Sequence, residues 1–575
     1  MRLICFLILI IIPLTNFAQE QNWQGAIFGQ PNDGYSTSNK FKIDNNGNKI
    51  IVGQFKNSFT LLGETIYSTL PVGVFLAKLD QSDSLLWLQT IAEAEELSMP
   101  ASVYVLSPHH LLNVSENGSI DIGITFIDST YISGVGLVDD PYANEFTWSS
   151  IILNYLPNGD FNYYEHLVGT CEKQILDFTR YGNLKKIVIA AGVPDVNNPD
   201  TCFLSFLNNT FYINSIRNTL ILTFDNNDSL INDNIITKSG SNKITNINNS
   251  NYVTGSSITT FGSNSFDSTY FLNHNPEIDN RAFLAKYDST STIEWVKCFG
   301  NNGWDSHVQF SDIIPSGDNI VIAGVSFTQS VSNQIFFENA PTLNGNSWGD
   351  DDFFVACYDN LGNVKWHSIS KSDGREHITG IITDSDNNIY ASGTFNSPLF
   401  FAGDTLIPFG SEDVFVICYD SLGVEKWAIN AAGESLDQAR SIDIDLNGTL
   451  YISGSTMSST AIFGNISYSL SGSDAQLFLA KVDSSSYLNT IQITSSEQII
   501  QLYPNPNDGA FVIDSKNEVI SKLNIYNMLG AKVYNVQGES NTIHVNLQHL
   551  PKGTFLVELK LKDERLIQNK FIVNK

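Results

Sequence analysis

Phe354-Val355-Ala356-Cys357-Tyr358-Asp359-Asn360-Leu361-Gly362-Asn363-Val364-Lys365-Trp366 decides the fold. An alternating apolar run ends in Asp359, turns through Asn360 and Gly362, and resumes as a second run carrying Trp366. The pattern predicts a β-hairpin: period-2 strands suit a packed face, and Asp, Asn and Gly supply turn hydrogen bonds and positive φ angles. The same text recurs along the chain. Phe75-Leu76-Ala77-Lys78-Leu79-Asp80 leads to Trp87, Phe283 to Asp288 leads to Trp295, and Phe415 to Asp420 leads to Trp427. In these four copies the Trp lies seven residues after the Asp. Leu220 to Asp225, Phe478 to Asp483 and a degenerate Ile151 to Leu156 follow the pattern without the Trp. Seven copies, roughly 60–70 residues apart, define an internal repeat.

Each copy has a second hairpin upstream. Ile378 to Thr383 turns through Asp384-Ser385-Asp386-Asn387-Asn388 into Ile389 to Phe395, with parallels around Asp44-Asn45-Asn46-Gly47 and Asp445-Leu446-Asn447-Gly448. Six of the second strands carry a late glycine: Gly53, Gly192, Gly255, Gly324, Gly393 and Gly454. Glycine weakens a strand, so its recurrence points to a bulge or a close backbone approach near the centre of a ring. Four antiparallel strands per copy predict an all-β, seven-bladed β-propeller, because a lone twisted sheet cannot cover its own apolar faces and ring closure buries both. Blades are expected to start near Ser38, Ala101, Ile175, Ile244, Val308, Ile378 and Ser441. The second and third copies match poorly, so counts of six and eight stay open. Trp23-Gln24-Gly25-Ala26-Ile27-Phe28-Gly29 reads like Trp295 to Gly300, an outer strand, yet no blade precedes it. Residues 22–29 are therefore expected to complete the last blade, where Thr490 stands in place of the Trp; Tyr487 to Ile493 is the competing strand.

The hairpin text resembles bacterial β-propeller repeats whose strands read like FLAKYD followed by GxxxW. That resemblance covers about Trp23 to Ile493 and implies an architecture but no reaction.

The C-terminal stretch reads differently. Leu502-Tyr503-Pro504-Asn505-Pro506-Asn507-Asp508-Gly509-Ala510-Phe511 has two prolines that hold an extended approach and an Asn-Asp-Gly turn into a strand. Short strands follow around Ile525-Tyr526, Ile543 to Leu547 and Thr554 to Leu559, punctuated by Gly530 and by Leu550-Pro551-Lys552-Gly553. Residues 501–575 thus predict a small β-sandwich, joined through a linker at 494–500. The YPNPxxGxF opening, carried by Tyr503, Pro504, Asn505, Pro506, Gly509 and Phe511, and the later Gly530 and Gly553 motifs resemble the type A C-terminal sorting domain of type IX secretion substrates. The resemblance implies that the type IX machinery carries the chain across the outer membrane of a Gram-negative bacterium. It also implies removal of the module and a mature part anchored at the surface or released.

Residues 1–18 fit a secretory signal peptide: Arg2, an apolar run from Leu3 to Leu14, and Ala18 before Gln19. No later stretch is apolar enough to predict a membrane span. The chain carries 60 acidic and 31 basic residues, a net charge of −29, which argues against a nucleic-acid partner. The charge is uneven: Gln501 to Lys575 holds nine basic and seven acidic residues, leaving 21 basic and 53 acidic between Leu3 and Ile500. Only 16% of residues are charged but 42% are hydrophobic, the composition of a chain with a large core. Of six cysteines, Cys5 lies in the leader, and Cys357 and Cys418 share a repeat position and so read as free thiols. Cys171 with Cys202 is the one candidate disulfide.

No motif for chemistry stands out. His109, His110, His166, His274, His307, His367, His377, His544 and His549 are scattered without zinc-ligand spacing. Gly345-Asn346-Ser347-Trp348-Gly349 matches GxSxG, but no helix pattern follows it as a nucleophile elbow requires. The strand-ending acids Asp80, Asp225, Asp288, Asp359, Asp420 and Asp483 read as turn formers. The candidate cation ligands, with Ca2+ the ion their oxygens would suit, are Asp350, Asp351 and Asp352. With Asp139-Asp140 and Glu412-Asp413 they fall in long segments between second and third strands, read as a solvated acidic rim. Those segments, or the channel mouth, are the expected place for a ligand. Neither a catalytic residue nor a cofactor is predicted. Three functions follow: a non-enzymatic exported propeller that binds an extracellular protein or glycan, a hydrolase or lyase on the same scaffold, and a quinone-dependent dehydrogenase. The first is favoured.

Overall fold

The computed structural model describes residues 23–95, 111–127, 129–142, 148–181, 184–192, 202–213, 218–237, 239–247, 250–257, 265–266, 270–271, 280–289, 292–301, 307–327, 334–337, 343–344, 351–370, 372–470, 474–483, 501–503, 507, 509–515, 519–527, 532–548, 550, 552–562 and 566–573. The leader, the 494–500 linker and the GxSxG segment lie outside them, as do His109, His110, Asp350, Pro504, Asn505, Pro506 and Gly530. Every regular element described is a β-strand, and no described helix is long and apolar enough to cross a membrane. The chain divides into two compact units, Met1–Ser486 and Tyr487–Lys575.

The larger unit is a β-propeller. Its described residues form four-stranded antiparallel sheets whose first strands are Ser36–Ile43, Leu111–Val114, Glu172–Tyr181, Ser239–Ile247, His307–Ser316, Glu376–Thr383 and Asp437–Ile444. They are called sheets one to seven below. Each first strand packs beside that of the next sheet, and the last packs beside the first, which makes a ring. The start expected near Ala101 lies outside the described residues, and the first described strand of the second sheet begins at Leu111. Second and third strands such as Ile389–Phe395 and Asp413–Tyr419 are buried along their whole length. They are covered on both faces, so their sequences run continuously apolar instead of alternating. Val321, Ala323, Phe353, Val355 and Cys357 of sheet five pack against Ile378, Ile381, Ile389 and Ala391 of sheet six.

The repeated turns share one construction. In Asp359 one carboxylate oxygen accepts from the backbone N–H of Leu361 (3.0 Å) and Asn363 (2.8 Å), while Gly362 N–H donates to the Asp359 carbonyl. Asp80, Asp225 and Asp420 do the same with residues two and four further on, and Asp288 with Thr292. Asp44, Asp384 and Asp445 repeat it in the upstream hairpins. The fourth turn residue is left-handed: Gly362 (φ 81°), Gly423 (φ 80°), and also Asp83 and Asn387. This is the three-residue hairpin loop, a type I turn followed by a bulge. The Trp then joins neighbouring sheets. Trp366 of sheet five lies against Gly423 of sheet six, where an added Cβ would come 2.3 Å from the indole. Trp87 faces Gly159 and Trp295 faces Gly362 in the same way.

The ring closes through its two ends. Trp23–Asp33 pairs antiparallel with Gln476–Asp483, the third strand of sheet seven, with Ala26 opposite Ala480 and Phe28 opposite Phe478. The same strand continues onto the second strand of sheet one, with Gly29 opposite Leu61. The Trp23 indole N–H donates to the Asn430 carbonyl (2.8 Å), and Lys481 pairs with Asp83 across the seam.

The long segments between second and third strands do not stand free as a rim. Most form hairpins that add to the outermost strand of the preceding sheet: Ser129–Ile132 on Leu85–Ala94, Cys202–Phe206 on Phe161–Gly169, Gln334–Phe337 on Ile293–Asn301, and Thr460–Phe463 on Glu425–Gly433. Each covers an edge that would otherwise expose unpaired backbone groups. Cys171 and Cys202 form a disulfide that ties one of these hairpins to the chain entering sheet three (Cα–Cα 5.1 Å). Cys298, Cys357 and Cys418 take part in no disulfide among the described residues, and burial pushes the Cys357 thiol up to about 11.

The smaller unit is a β-sandwich. A three-stranded sheet (Gln501–Tyr503, Ala510–Asp514, Thr542–Asn546) and a four-stranded sheet (Lys532–Ser540, Ile520–Asn527, Gly553–Leu561, Leu566–Val573) enclose Phe511, Ile513, Leu523, Ile525, Val545, Phe555, Val557 and Leu559. Gly509 (φ 100°) donates its N–H to the Asn507 side-chain oxygen (2.8 Å), and its carbonyl accepts from Leu547 N–H.

Two outcomes test this construction. Gly423→Ala places a methyl group in a left-handed turn against Trp366, and should cost about 3 kcal/mol from backbone strain and overpacking combined. Gly403→Ala, also left-handed but facing open space, should cost only about 1 kcal/mol. Equal unfolding midpoints for the two variants would remove the indole contact from the account. Replacing both Cys171 and Cys202 by Ser, which opens a link across 31 residues, should cost about 3–4 kcal/mol in chemical denaturation.

Candidate functional site

The first strands of the sheets surround a cavity of about 490 Å³ at the ring axis, within the range of small-molecule sites. All but the second of these strands are bulged. Their pairing with the second strand slips between Ser38 and Lys40, Ile175 and Asp177, Ser241 and Lys243, Phe310 and Asp312, Ile378 and Gly380, and Ala439 and Ser441. The strand glycines make the bulge sterically feasible. A Cβ on Gly53, Gly324, Gly393 or Gly454 would lie 1.9–2.3 Å from the carbonyl of Thr37, Gln309, His377 or Gln438, and under 3 Å from a third-strand Phe ring. The bulge turns Asn39, Leu176, Ser311, Thr379 and Arg440 towards the cavity, and the next residue in sheets one and four, Lys40 and Lys243, lines it too.

The acids near the axis serve the backbone. Asp177 accepts from Ile244 N–H of the next sheet (2.9 Å), Asp312 from Ile381 N–H (3.3 Å), and Asp443 from Ile43 N–H (2.8 Å). They join sheets three to four, five to six and seven to one. Burial raises Asp177 above the usual carboxylate range. The cations are left with spare donors. Lys40 and Lys243 make no hydrogen bond or ion pair among the described residues, and burial followed by the Lys243 charge pushes Lys40 down to about 8. Lys42 is held above its ordinary value, chiefly by Asp443. Arg440 donates to the Gln438 side-chain oxygen (2.7 Å), and burial lowers it. His377 Nε2 lies 2.7 Å from an Asp351 carboxylate oxygen at the same cavity. A cavity so lined can hold an acceptor-rich ligand and carries one imidazole oriented by a carboxylate.

The residues singled out from the sequence are placed elsewhere or apart. Asp351 and Asp352 are neighbours on a strand and therefore point to opposite faces. Asp351 reaches His377, while Asp352 is buried and accepts from Ser370 Oγ (3.0 Å). Among the described residues no three His, Cys, Asp or Glu side chains gather as a metal would require. The acidic rim is corrected: Asp140 and Asp413 are buried, Asp140 pairing with Lys173 (2.6 Å) and Asp413 accepting from Gly410 and Gly433 N–H. Each caps backbone amides where a connector rejoins its sheet. His166 is likewise structural, 3.0 Å from Ser149 Oγ, and burial pushes it down to about 4. Lys40, Lys243 and Arg440 were not singled out from the sequence. The recurring glycine marks the bulge, but a bulge shifts the strand by one residue, so alternation alone does not say which side chain meets the axis. In the smaller unit Phe511 is core, Gly509 forms the turn, Gly553 opens a strand, and Tyr503 is 48% exposed.

A stretch of 149 residues is 32% identical to an uncharacterized WD repeat-containing protein of Acanthamoeba polyphaga mimivirus, covering 24% of this chain and 10% of that protein. Another, of 101 residues, is 32% identical to an ulvan lyase of Nonlabens ulvanivorans, covering 16% of this chain and 19% of the lyase. The chain thus spans a fifth or less of each relative's length. Among solved structures, Drosophila Plexin A in complex with Semaphorin 1b aligns over 81% of this chain and 88% of its own, at 9% identity and a TM-score of 0.35. Residues 501–574 match the family model of the secretion system C-terminal sorting domain. The smaller unit is therefore a sorting domain, and the chain is exported through the type IX secretion system to the cell surface or the extracellular space.

Proposed function

We propose that the chain is an exported, non-enzymatic seven-bladed propeller of a Gram-negative bacterium that binds an extracellular protein or glycan. Residues 1–18 direct the first export step and 501–575 the second. One observation carries the binding reading: a cavity of about 490 Å³ at the ring axis, lined mainly by first strands that present polar and charged side chains among apolar ones. Strands fix such groups more firmly than loops do, which favours recognition by preorganisation. The disulfide between Cys171 and Cys202 suits an oxidising compartment.

A lyase or hydrolase is the second reading. It is favoured by the His377–Asp351 pair, the arrangement of an oriented general base, and by the partial similarity to an ulvan lyase.

Deleting Leu502 to Lys575 should leave the protein in the periplasm; finding the truncated chain on the cell surface would remove the sorting role. Purified full chain should bind members of a panel of extracellular polysaccharides and release no products from them. Product release that His377→Ala abolishes would replace the binding reading with the catalytic one.

A further inference from the structure

We propose that Lys40, Lys243 and Arg440 form an oxyanion site at the ring axis, which takes a carboxylate or sulfate group of an acidic saccharide. The inference rests on the binding reading above and names the ligand chemistry of that same cavity.

The three cations come from sheets one, four and seven and line one cavity. The carboxylates nearest them are already engaged: Asp177, Asp312 and Asp443 each accept a backbone N–H from the next sheet, and Asp351 is paired with His377. What the cavity still offers is donors. Neither lysine ammonium has a protein acceptor among the described residues, and the Arg440 guanidinium, with five N–H donors, gives one of them to the Gln438 side-chain oxygen. Gln174 and Gln309 add amide groups to the same lining. The local balance also differs from that of the chain as a whole. Lys40, Lys42, Lys243 and Arg440 face Asp177, Asp312, Asp351, Asp443 and Glu412, four bases to five acids, whereas the whole chain has 60 acids to 31 bases. Lys40 is depressed first by burial and then by the Lys243 charge, which outweighs the opposing pull of either Asp312 or Asp177. An oxyanion there would receive charge-assisted hydrogen bonds from both lysines, and such bonds are the strong ones.

The probe is trigalacturonate, with its methyl ester as the uncharged control, titrated calorimetrically into full chain at pH 7. The acid should bind at least tenfold more tightly than the ester, and Lys40→Gln or Lys243→Gln should each weaken it at least tenfold. Should either variant fail to fold, the wild-type chain supplies a second readout. Trigalacturonate, and not the ester, should slow acetylation of Lys40 and Lys243 by acetic anhydride, followed by mass spectrometry. Displacement of the acid by inorganic sulfate marks any oxyanion as the ligand, and retention marks the carboxylate. Equal binding of acid and ester, no binding of either, or unprotected lysines would overturn the proposal. If both lysine variants keep the wild-type polysaccharide binding pattern, this site falls and the binding reading stands. If the wild type binds no polysaccharide on the panel yet takes trigalacturonate at these lysines, the site stands and the binding reading narrows to short acidic saccharides.

Discussion

Everything in the larger unit depends on backbone hydrogen bonds between two segments from opposite ends of it, Ala26 to Phe28 and Phe478 to Ala480. Without them sheet seven would lack its outer strand. Each sheet covers its neighbour, so an open ring would expose an apolar face at both ends and a bare edge besides. Closure therefore converts a row of sheets, none of which could bury itself, into one body. The continuation of the same strand onto Leu61 and Thr60 of sheet one makes the seam a shared sheet and not merely a contact.

Between neighbours the structure reuses three small devices. The left-handed glycine of one turn receives the indole of the preceding sheet. The carboxylates of Asp177, Asp312 and Asp443 cap amides of the next first strand. The hairpins between second and third strands cover outer edges. Several ion pairs add to these, among them Lys185 with Glu165 (2.5 Å) between sheets three and two. Such pairs add little net stability, since burying two charges offsets most of their attraction.

The same economy explains the site. Bulging the first strands supplies an axis-facing side chain that ordinary pleating would not, and the facing glycines make room for it. Asp177, Asp312 and Asp443 are consumed in joining sheets. Lys40 and Lys243 keep their donors for whatever enters the cavity. Lys40, Lys243, Asp177 and Asp312 all follow the bulge of their own first strand, and there the acids join sheets while the lysines face the cavity.

The all-β class, the propeller architecture and the C-terminal sorting domain were legible in the chain itself. They rest on local chemistry: Asp and Gly at hairpin turns, apolar runs of strand length, and the spaced Pro, Gly and aromatic motifs after Leu502. The candidate site was not legible. Asp351 and Asp352 look like a cation site in one dimension, yet adjacent strand residues point to opposite faces. Asp140 and Asp413 look like a solvated rim, yet they are buried caps. Lys40, Lys243 and Arg440 lie on three strands far apart in the chain, and a one-residue bulge decides which way such positions face. Local patterns settle which elements form, because turns and strands answer to their own residues. Which side chains meet at the axis is settled only when the ring closes, because that depends on the register of many strands at once.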